Sequence, residues 1–538
     1  MRVGMDVGIS KPSCPARTAP GEDAFIRRRA TRVKGVLAVM PRVLPIFTIA
    51  VFVASAITLI GCGGSSSIKS SSTTPPPPSS ACSGDSGDSG KEPPFDPGSF
   101  APSPGPAGAF FGINTNVVTD PWPTTLIPMT NWRSLGGKVK WADINTGPGV
   151  YDFSRLDQWL GMAKANKTDV MYTVYATPTW ASSHGAASVS PNSCCAFLSQ
   201  NGPGICDPPS DLQCDGTGTD QMFIDFITAL VQHVGPGTIN YWELWNEPNV
   251  ATEWNGDADC ANSGVAHPAE VMLARMAKDL RTTVLQFDPS PKFTTPAATD
   301  GAKAGNWLAN YLTNTDGGTY ADINAFHGYI NTGVCPSDCP LAEAVGDQID
   351  NLTTQLPAAD QNKPLFDTEG FWGDKKVNGV RTTAITDPDQ QASFTARYYL
   401  IQMWKHVAKF YWYNWDIPTE STFYNATTHG ISAAAEAYVQ IVAWTKVGTA
   451  SVGPCATNPA DSTQWTCAIT ATGGTVSEAV WDTSQTCNSG TCTSVSVGLS
   501  SLGLPSTFNA YTDLTGKTAT ISGGTVPVGL KPILLTSQ

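Results

Sequence analysis

Short apolar segments alternate with amphipathic segments from Phe110 to Trp444, and this alternation constrains the fold most strongly. The apolar segments have the length of buried strands, whereas the amphipathic segments have the length of helices. Eight such strands with intervening helices predict a parallel (β/α)8 TIM barrel covered by helices. The predicted strands are Phe110–Asn116, Pro128–Arg133, Asp169–Tyr175, Ile239–Trp245, Lys292–Ala297, Asp322–His327, Lys363–Glu369 and Lys409–Trp415. The predicted helices are Ser154–Lys167, Asp220–Val234, Pro268–Phe287, Asn306–Thr313, Leu341–Leu356, Pro388–His406 and Ala433–Lys446.

Two of the predicted strands lead directly to a glutamate. The aromatic strand Tyr241–Trp245 continues into Asn246, Glu247 and Pro248, and proline cannot extend the hydrogen-bond ladder of a strand. The strand Lys363–Glu369 also ends in a carboxylate. Because (β/α)8 barrels carry their chemistry at the C-terminal ends of the strands, both glutamates are candidate catalytic residues. An amide beside a carboxylate suits sugar chemistry, since the amide can bind a hydroxyl while the acid protonates a leaving oxygen.

The run Trp-Asn-Glu-Pro-Asn at residues 245–249 resembles the acid/base motif of retaining glycoside hydrolases of clan A. The extended pattern is most similar to glycoside hydrolase family 39 and its endo-acting relatives, with family 5 a close second. The resemblance covers about Phe110 to Trp444 and implies a (β/α)8 barrel with glycosidase activity. Four further segments resemble strand ends of the clan in the expected order, namely Val170–Ser182, Ile323–Tyr329, Lys363–Gly370 and Lys409–Trp415.

The resemblance implies a double-displacement mechanism carried by two glutamates. Glu247 would be the general acid and then the general base, and Glu369 would be the nucleophile at the anomeric carbon. Like-charge repulsion from Glu369 would favour the protonated form of Glu247 in the first step. Retention requires the two carboxyl groups to lie about 5–5.5 Å apart. Glu243 and Asp367 lie further back on the same strands, and we expect them to share the faces of the two glutamates and to sit deeper.

Substrate-binding roles follow for side chains at neighbouring strand ends. Asn246 would bind the hydroxyl next to the reacting carbon, although an asparagine after a strand can also serve only to form a turn. His327 and Tyr329 would orient the nucleophile or bind substrate, with a purely structural histidine as the alternative. Arg133 corresponds to the arginine that the clan places near its nucleophile, although the residues after it are plainer than the clan's pattern.

Tryptophans at strand exits complete the expected site. Trp180 and Trp415 would stack on the apolar faces of sugar rings, unless they are buried in the barrel, and Trp372 is a weaker candidate for the same role. The chain has neither a Gly-rich phosphate loop nor the residue order of a serine hydrolase. We therefore expect no cofactor.

The first 61 residues resemble an export signal. An apolar run from Val43 to Ile60 follows several basic residues and leads into Gly61 and Cys62, which together resemble a bacterial lipobox. We expect residues 1–61 to be a signal peptide, with Met40 as an alternative start, and Cys62 to carry the lipid; the alternative is an uncleaved membrane anchor. Residues 62–108 are rich in Ser, Pro and Gly, which is typical of a linker. The protein would be an extracytoplasmic bacterial lipoprotein that touches the membrane only through its lipid.

The cysteines also indicate an exported protein. Of the 14 cysteines, removing Cys14 and Cys62 leaves an even number, which in an oxidising compartment predicts disulfides. The spacing lacks paired Cys-x-x-Cys motifs with a nearby histidine, so a zinc site is disfavoured and we expect no metal. The predicted local pairs are Cys335 with Cys339, Cys455 with Cys467 and Cys487 with Cys492. The remaining cluster is Cys194, Cys195, Cys206, Cys214 and Cys260, with Cys82 either its sixth member or free.

Two insertions and a C-terminal region stand apart from the barrel pattern. Residues 182–219 follow the third strand and residues 249–266 follow the fourth, so both should border the cleft, unless they are only structural elaborations. We assign residues 109–446 to the barrel. Residues 447–538 are rich in Thr, Ser, Val and Gly with short alternating runs, which predicts a small β-sandwich. This domain would support the barrel by packing, with sugar binding as the alternative.

Charge and motifs together define the functional hypothesis. The net charge is −13 and the first 61 residues are basic, so the rest of the chain is more acidic still and disfavours nucleic acid as a partner. The sequence thus predicts a retaining glycoside hydrolase acting on O-glycosidic bonds of a neutral, β-linked oligo- or polysaccharide. The alternatives are a non-catalytic carbohydrate-binding surface lipoprotein and a transglycosylase that uses the same two glutamates.

Overall fold

The computed structural model describes most of the chain after residue 108. The predicted signal peptide, Cys62 and the linker lie outside the described residues. None of the described helices combines the length and the apolar character needed to cross a membrane. The described residues are 109–184, 204–250, 253–299, 302–330, 341–377, 380–383, 385–417, 421–446, 449–488 and 490–537.

Eight parallel strands form the barrel that the sequence predicts. They are β1 Phe111–Asn114, β2 Asn131–Ser134, β3 Asp169–Val174, β4 Tyr241–Leu244, β5 Lys292–Thr294, β6 Asn324–His327, β7 Leu365–Gly370 and β8 Val407–Trp412. Their hydrogen-bonded order is β5-β4-β3-β2-β1-β8-β7-β6. Bridges between Thr294 and Ile323 and between Ala298 and Phe326 join β5 to β6 and close the ring. The C-terminal ends of all eight strands therefore meet at one rim.

Among the described residues, seven helices cover the barrel, and each overlaps a predicted one. They are α1 Ser154–Ala165, α2 Gln221–Val234, α3 Pro268–Leu285, α4 Ala302–Asn314, α5 Ala344–Gln355, α6 Pro388–Trp404 and α7 Ala433–Lys446. Helix α2 shows why the pattern works, because Phe223, Phe226, Ile227 and Leu230 fall on one face and are all buried. Short helices also occur at Trp141–Ile144 and Gly256–Asp259, with 3-10 turns at Pro123–Thr125, Gly317–Tyr320 and Leu499–Leu502.

The interior of the barrel is packed, with an apolar layer below a polar one. Side chains of successive strand residues alternate between the interior and the helices, so every second residue of a strand can enter the interior. Arg133 and Glu243 lie fully buried on β2 and β4. The apolar interior cluster consists of Met171, Tyr241, Ile323, Phe366 and Tyr411.

The C-terminal region is a β-sandwich. A six-stranded antiparallel sheet faces a two-stranded one, and residues of both sheets, including Val480, Val497, Val526 and Leu535, share one apolar core. The strands are β9 Thr449–Asn458, β10 Asp461–Ala471, β11 Val476–Asp482, β12 Ser494–Gly498, β13 Ala510–Thr512, β14 Thr518–Thr520, β15 Thr525–Gly529 and β16 Ile533–Thr536. Short hairpins pair Asn145–Gly147 with Val150–Tyr151, Asp374–Val377 with Val380–Thr383, Tyr424–Asn425 with Gly430–Ile431, and Cys487–Asn488 with Thr491–Cys492.

The sandwich packs on the outer helices of the barrel. The indole Nε1 of Trp481 donates to Glu343 at 2.7 Å, just before α5. Lys531 forms an ion pair with Asp389 at the start of α6, and the hydroxyl of Ser393 donates to the carbonyl of Leu530 at 2.6 Å. These contacts agree with a packing role for the domain.

Disulfides confirm two of the predicted local pairs. Cys455 bonds to Cys467 and Cys487 bonds to Cys492. A third bridge joins Cys214 to Cys260 and so ties the insertion after β3 to the insertion after β4. Cys206 is also disulfide-bonded. Cys14, Cys62, Cys82, Cys194, Cys195, Cys335 and Cys339 lie outside the described residues.

Candidate active site

Glu247 lies just beyond the end of β4, on a sharply turned backbone. Trp245 and Glu247 both have positive φ angles, of 62° and 44°. Between them, Asn246 pairs with Ala297 next to β5, and the backbone N–H of Glu247 donates to the carbonyl of Ala297 at 2.9 Å. Its side chain is 20% exposed, so a ligand in the cleft can reach it. Non-glycine residues at positive φ are uncommon and often mark functional sites.

Glu369 lies near the end of β7 with only 5% of its side chain exposed. Its Oε2 accepts a hydrogen bond from the hydroxyl of Tyr329, and its Oε1 accepts one from Nη1 of Arg133. An oxygen of Glu369 and an oxygen of Glu247 lie within 4.8 Å of each other. The two carboxylates that the sequence singled out therefore face each other at one rim of the barrel.

Arg133 is the centre of the polar network below these carboxylates. Its guanidinium is fully buried and donates to Glu369 at 2.5 Å, to Glu243 at 2.7 Å and to Asn246 at 3.1 Å. Burial alone would lower the pKa of Arg133, but the carboxylates of Glu243 and Glu369 raise it above its ordinary value. The arginine thus stays charged and fixes three partners with one planar group. It lies beside Glu369, as the resemblance implied.

His327 lies between the two glutamates and is fully buried. Its Nδ1 is 2.8 Å from Oε1 of Glu247 and 3.7 Å from Oε2 of Glu369. Burial alone would lower the pKa of His327, yet the nearby charges of Glu369 and Glu247 raise it above its ordinary value. The imidazole is therefore a hydrogen-bond partner of the acid/base candidate rather than an isolated structural histidine.

Asn246 brings a further acidic residue into the network. Its Oδ1 accepts from Arg133, and its side chain hydrogen-bonds to Glu253. Glu253 is only 5% exposed, and burial together with the charges of Glu247 and Glu369 raises its pKa well above the ordinary value. Glu253 was not among the predicted site residues. Its only signal was its place in the insertion after β4, which was expected to border the cleft.

Two of the three candidate tryptophans differ from their expected roles. Trp180 is partly exposed, and its indole N–H donates to the carbonyl of Asn145 at 2.9 Å, so one part of the ring is available to a ligand. Trp415 is only 1% exposed, because it stacks on Tyr424 and donates to the carbonyl of Pro121. Trp372 is equally buried. The expectation that Trp415 and Trp372 offer a face to sugar is therefore wrong, since the core already covers both rings.

Asp367 occupies a different face of β7 from the one expected. Its carboxylate contacts the hydroxyl of Tyr398 and the amide of Gln402, both on α6 outside the barrel. The register of β7 against β6 and β8 shifts at this point, and such a bulge re-aims the side chains beyond it. The shared face predicted for Asp367 and Glu369 is therefore wrong. Glu243 lies inside the barrel beneath the site, as predicted, with Thr173 donating to it at 2.7 Å.

Glu247, His327 and Glu369 present one donor atom each within 4.8 Å, a spacing that a metal ion could also use. The hydrogen bonds of His327 with Glu247, and of Arg133 and Tyr329 with Glu369, also fit a proton-handling network. Two carboxylates, one imidazole and one buried guanidinium at a strand-end rim can protonate one group while a second attacks it.

Comparison with known proteins finds the same fold in a solved glycoside hydrolase. No protein-family model matches the chain, and no curated protein matches its sequence. A family 39 glycoside hydrolase from the gut symbiont Bacteroides cellulosilyticus WH2 superposes with a TM-score of 0.52 at 15% identity, covering 76% of each chain. A GH30 endoxylanase from Clostridium papyrosolvens C71 has a TM-score of 0.48 at 11% identity, covering 80% of this chain and 96% of the other. The family 39 structure confirms the fold, and it represents the family that the motifs resemble most.

Proposed function

We propose that this protein is a retaining glycoside hydrolase that cleaves O-glycosidic bonds in a neutral, β-linked oligo- or polysaccharide. The observation that carries the proposal is the approach of oxygens of Glu247 and Glu369 within 4.8 Å at the C-terminal rim. Retaining enzymes hold their carboxyl groups about 5–5.5 Å apart, whereas inverting enzymes need about 6.5–9.5 Å to admit a water. The short approach supports the retaining geometry.

In the first step, Glu369 attacks the anomeric carbon while Glu247 donates its proton to the leaving oxygen. Arg133 and Tyr329 hold one oxygen each of Glu369, so the carboxylate is oriented before the substrate arrives. The bond from carbon to the leaving oxygen breaks, and an ester between Glu369 and the sugar forms.

In the second step, Glu247 acts as a base. It takes a proton from water, the water oxygen bonds to the anomeric carbon, and Glu369 leaves as a carboxylate. Nδ1 of His327 lies 2.8 Å from Oε1 of Glu247, so a protonated imidazole donates a hydrogen bond to this carboxylate in this half of the reaction. Glu247 is thus both the acid and the base, and the buried imidazole of His327 is its hydrogen-bond partner.

Substrate contacts come from the groups around the two glutamates. Asn246 would bind the hydroxyl next to the reacting carbon, and Arg133 and Glu253 fix its amide. Trp180 would supply an apolar wall for a sugar ring. The disulfides indicate an oxidising compartment outside the cytoplasm. A lipid on Cys62 and the linker at residues 62–108 would hold the catalytic domain near a membrane.

Azide rescue of two variants tests the mechanism. Wild type, E247A and E369A are assayed on a panel of activated aryl β-glycosides. We expect each variant to lose about 10²–10⁴-fold in turnover without unfolding. Azide should restore both variants, giving a glycosyl azide of retained configuration with E247A and of inverted configuration with E369A. The different products follow because azide attacks the glycosyl ester in E247A but the substrate itself in E369A.

The matched control is E436A, which removes an exposed glutamate on α7 and should leave turnover unchanged. Wild-type turnover that survives in both E247A and E369A would refute the assignment. Wild-type binding of glycans without any turnover across the panel would support the carbohydrate-binding alternative instead.

A further inference from the structure

A second cluster of metal-ligating side chains lies where the two cleft insertions meet. His184 closes the described part of the insertion after β3, Asp207 lies further along the same insertion, and Asp259 lies in the short helix Gly256–Asp259 after β4. Nδ1 of His184 is 3.0 Å from Oδ2 of Asp207 and 3.5 Å from Oδ1 of Asp259. One donor atom from each residue lies within 4.8 Å of the others.

The hydrogen bonds of this cluster leave one buried carboxylate oxygen without a donor. Both carboxylates direct an oxygen at the same imidazole nitrogen, and Nδ1 can donate at most one proton. Oδ1 of Asp259 has no hydrogen-bond partner, although the side chain is only 7% exposed. A buried carboxylate oxygen without a donor is costly, so its presence calls for a positive partner at this point.

The other carboxylate oxygens are held in the manner of metal ligands. Nδ2 of Asn255 donates to Oδ1 of Asp207 at 2.9 Å, and Oγ of Ser183 donates to Oδ2 of Asp259 at 2.7 Å. Oγ of Ser182 also donates to Oδ2 of Asp207, at 3.3 Å. Oδ2 of Asp207 and Oδ1 of Asp259 both face the imidazole of His184. Such outer hydrogen bonds orient the ligands of metal sites and are a regular part of their construction.

We propose that His184, Asp207 and Asp259 bind a divalent transition-metal ion of the zinc class, which ties the two insertions together. A charge of two on the ion neutralises the two carboxylates, and the neutral imidazole completes three ligands. Zinc bonds to nitrogen and oxygen are about 2.0–2.2 Å long, so neighbouring ligand atoms lie about 3.0–3.5 Å apart. The distances of 3.0 and 3.5 Å from Nδ1 of His184 fit this spacing.

Calcium is disfavoured because it selects oxygen ligands, and one ligand here is an imidazole nitrogen. The ion would add a second link to the disulfide between Cys214 and Cys260, which joins the same two insertions. The insertion after β3 begins just beyond Trp180, and the insertion after β4 carries Glu253. The role is structural, and it is independent of the proposed hydrolase activity. The proposed metal site differs from the sequence-based expectation of no metal, which was drawn from the spacing of the cysteines.

Metal binding to the purified, tag-free full chain tests the proposal. The protein is stripped with EDTA, dialysed, and titrated with Zn²⁺, Mn²⁺ and Ca²⁺ by calorimetry, with thermal unfolding measured in parallel. We expect one Zn²⁺ ion to bind per chain at this site and to raise Tm by roughly 3 °C or more at saturation. Ca²⁺ should bind more weakly. H184A and D259N should each weaken Zn²⁺ binding by at least about tenfold.

The control is H233A, because His233 pairs with a single carboxylate, Asp157, at 2.7 Å and should contribute no metal site. H184A leaves Glu247, His327 and Glu369 intact, so any zinc at the candidate active site persists in that variant. In EDTA, D259N should unfold at the same or a higher temperature than wild type, since an uncompensated charge is gone. Zinc affinity in H184A and D259N equal to wild type, or no zinc equivalent in wild type, would overturn the proposal.

Discussion

The barrel holds a buried cation at each end of its interior, and the two cations meet very different partners. Arg133 at the C-terminal end faces the carboxylates of Glu243 and Glu369. Lys409 at the N-terminal end donates to the carbonyl of Ala109 at 2.9 Å and to the amide oxygen of Asn131 at 3.0 Å. Its ammonium also lies over the aromatic rings below the polar layer, namely those of Tyr241 and Phe366.

The difference shows how one scaffold separates stability from chemistry. At the C-terminal end the planar fork of arginine holds several acceptors in fixed directions, which is what an oriented nucleophile requires. At the N-terminal end the flexible side chain of Lys409 fills the barrel interior, and its ammonium contacts neutral oxygens and the faces of aromatic rings. A buried positive charge therefore serves a different purpose at each end, and substitutions at the two ends should have separable effects.

R133K should produce the largest effect on activity. Lysine keeps the charge but cannot reach Glu369, Glu243 and Asn246 together, so the nucleophile and the amide lose their common support. We expect kcat/KM on an activated aryl glycoside to fall by about 10²–10³-fold, with most of the loss in kcat. Activity within about twofold of wild type would show that the guanidinium fork is not needed, and the contrast between the two ends would fail.

H327N should change how the free energy of unfolding depends on pH, because His327 belongs to the polar network at the C-terminal end of the barrel. The pKa of His327 is raised in the folded protein by Glu369 and Glu247, so its stabilising contribution is fully present below its unfolded pKa of about 6.5. That contribution is lost as pH rises through the raised folded value. The advantage of wild type over H327N in the free energy of unfolding should therefore shrink as pH increases. Urea denaturation from about pH 5.5 to about 9 measures it, and an advantage that grows with pH contradicts the network.

Sequence patterns predicted the barrel because strand and helix periodicities survive small errors in element ends. The prediction of which side chains face the cleft depended more closely on where each strand ends. The predicted last strand, Lys409–Trp415, in fact stops at Trp412, so Trp415 enters the following loop and packs against Tyr424 instead of facing the cleft. The bulge in β7 likewise turns Asp367 outward, and the sequence of that strand contains no residue that would predict a bulge.

Contacts between segments that are far apart in the chain could not be predicted from the sequence. Glu253 and the cluster of His184, Asp207 and Asp259 come together only because two insertions fold against each other. By contrast, Glu247, Glu369 and Arg133 were predictable because each sits on or directly beyond a barrel strand, and parallel strands bring their ends together.

K409M should have the smallest effect on activity and a clear effect on stability. Methionine fills a similar volume but donates no hydrogen bond, so the amide oxygen of Asn131 loses a buried donor and the rings of Tyr241 and Phe366 lose a cation. We expect the free energy of unfolding to fall by about 1–3 kcal/mol, while kcat/KM stays within about twofold of wild type. Denaturant unfolding and the aryl glycoside assay measure the two quantities. A K409M protein that keeps its stability but loses activity as R133K does would mean that the two ends act as one unit, because only a coupled interior could carry a change at the bottom of the barrel to its rim.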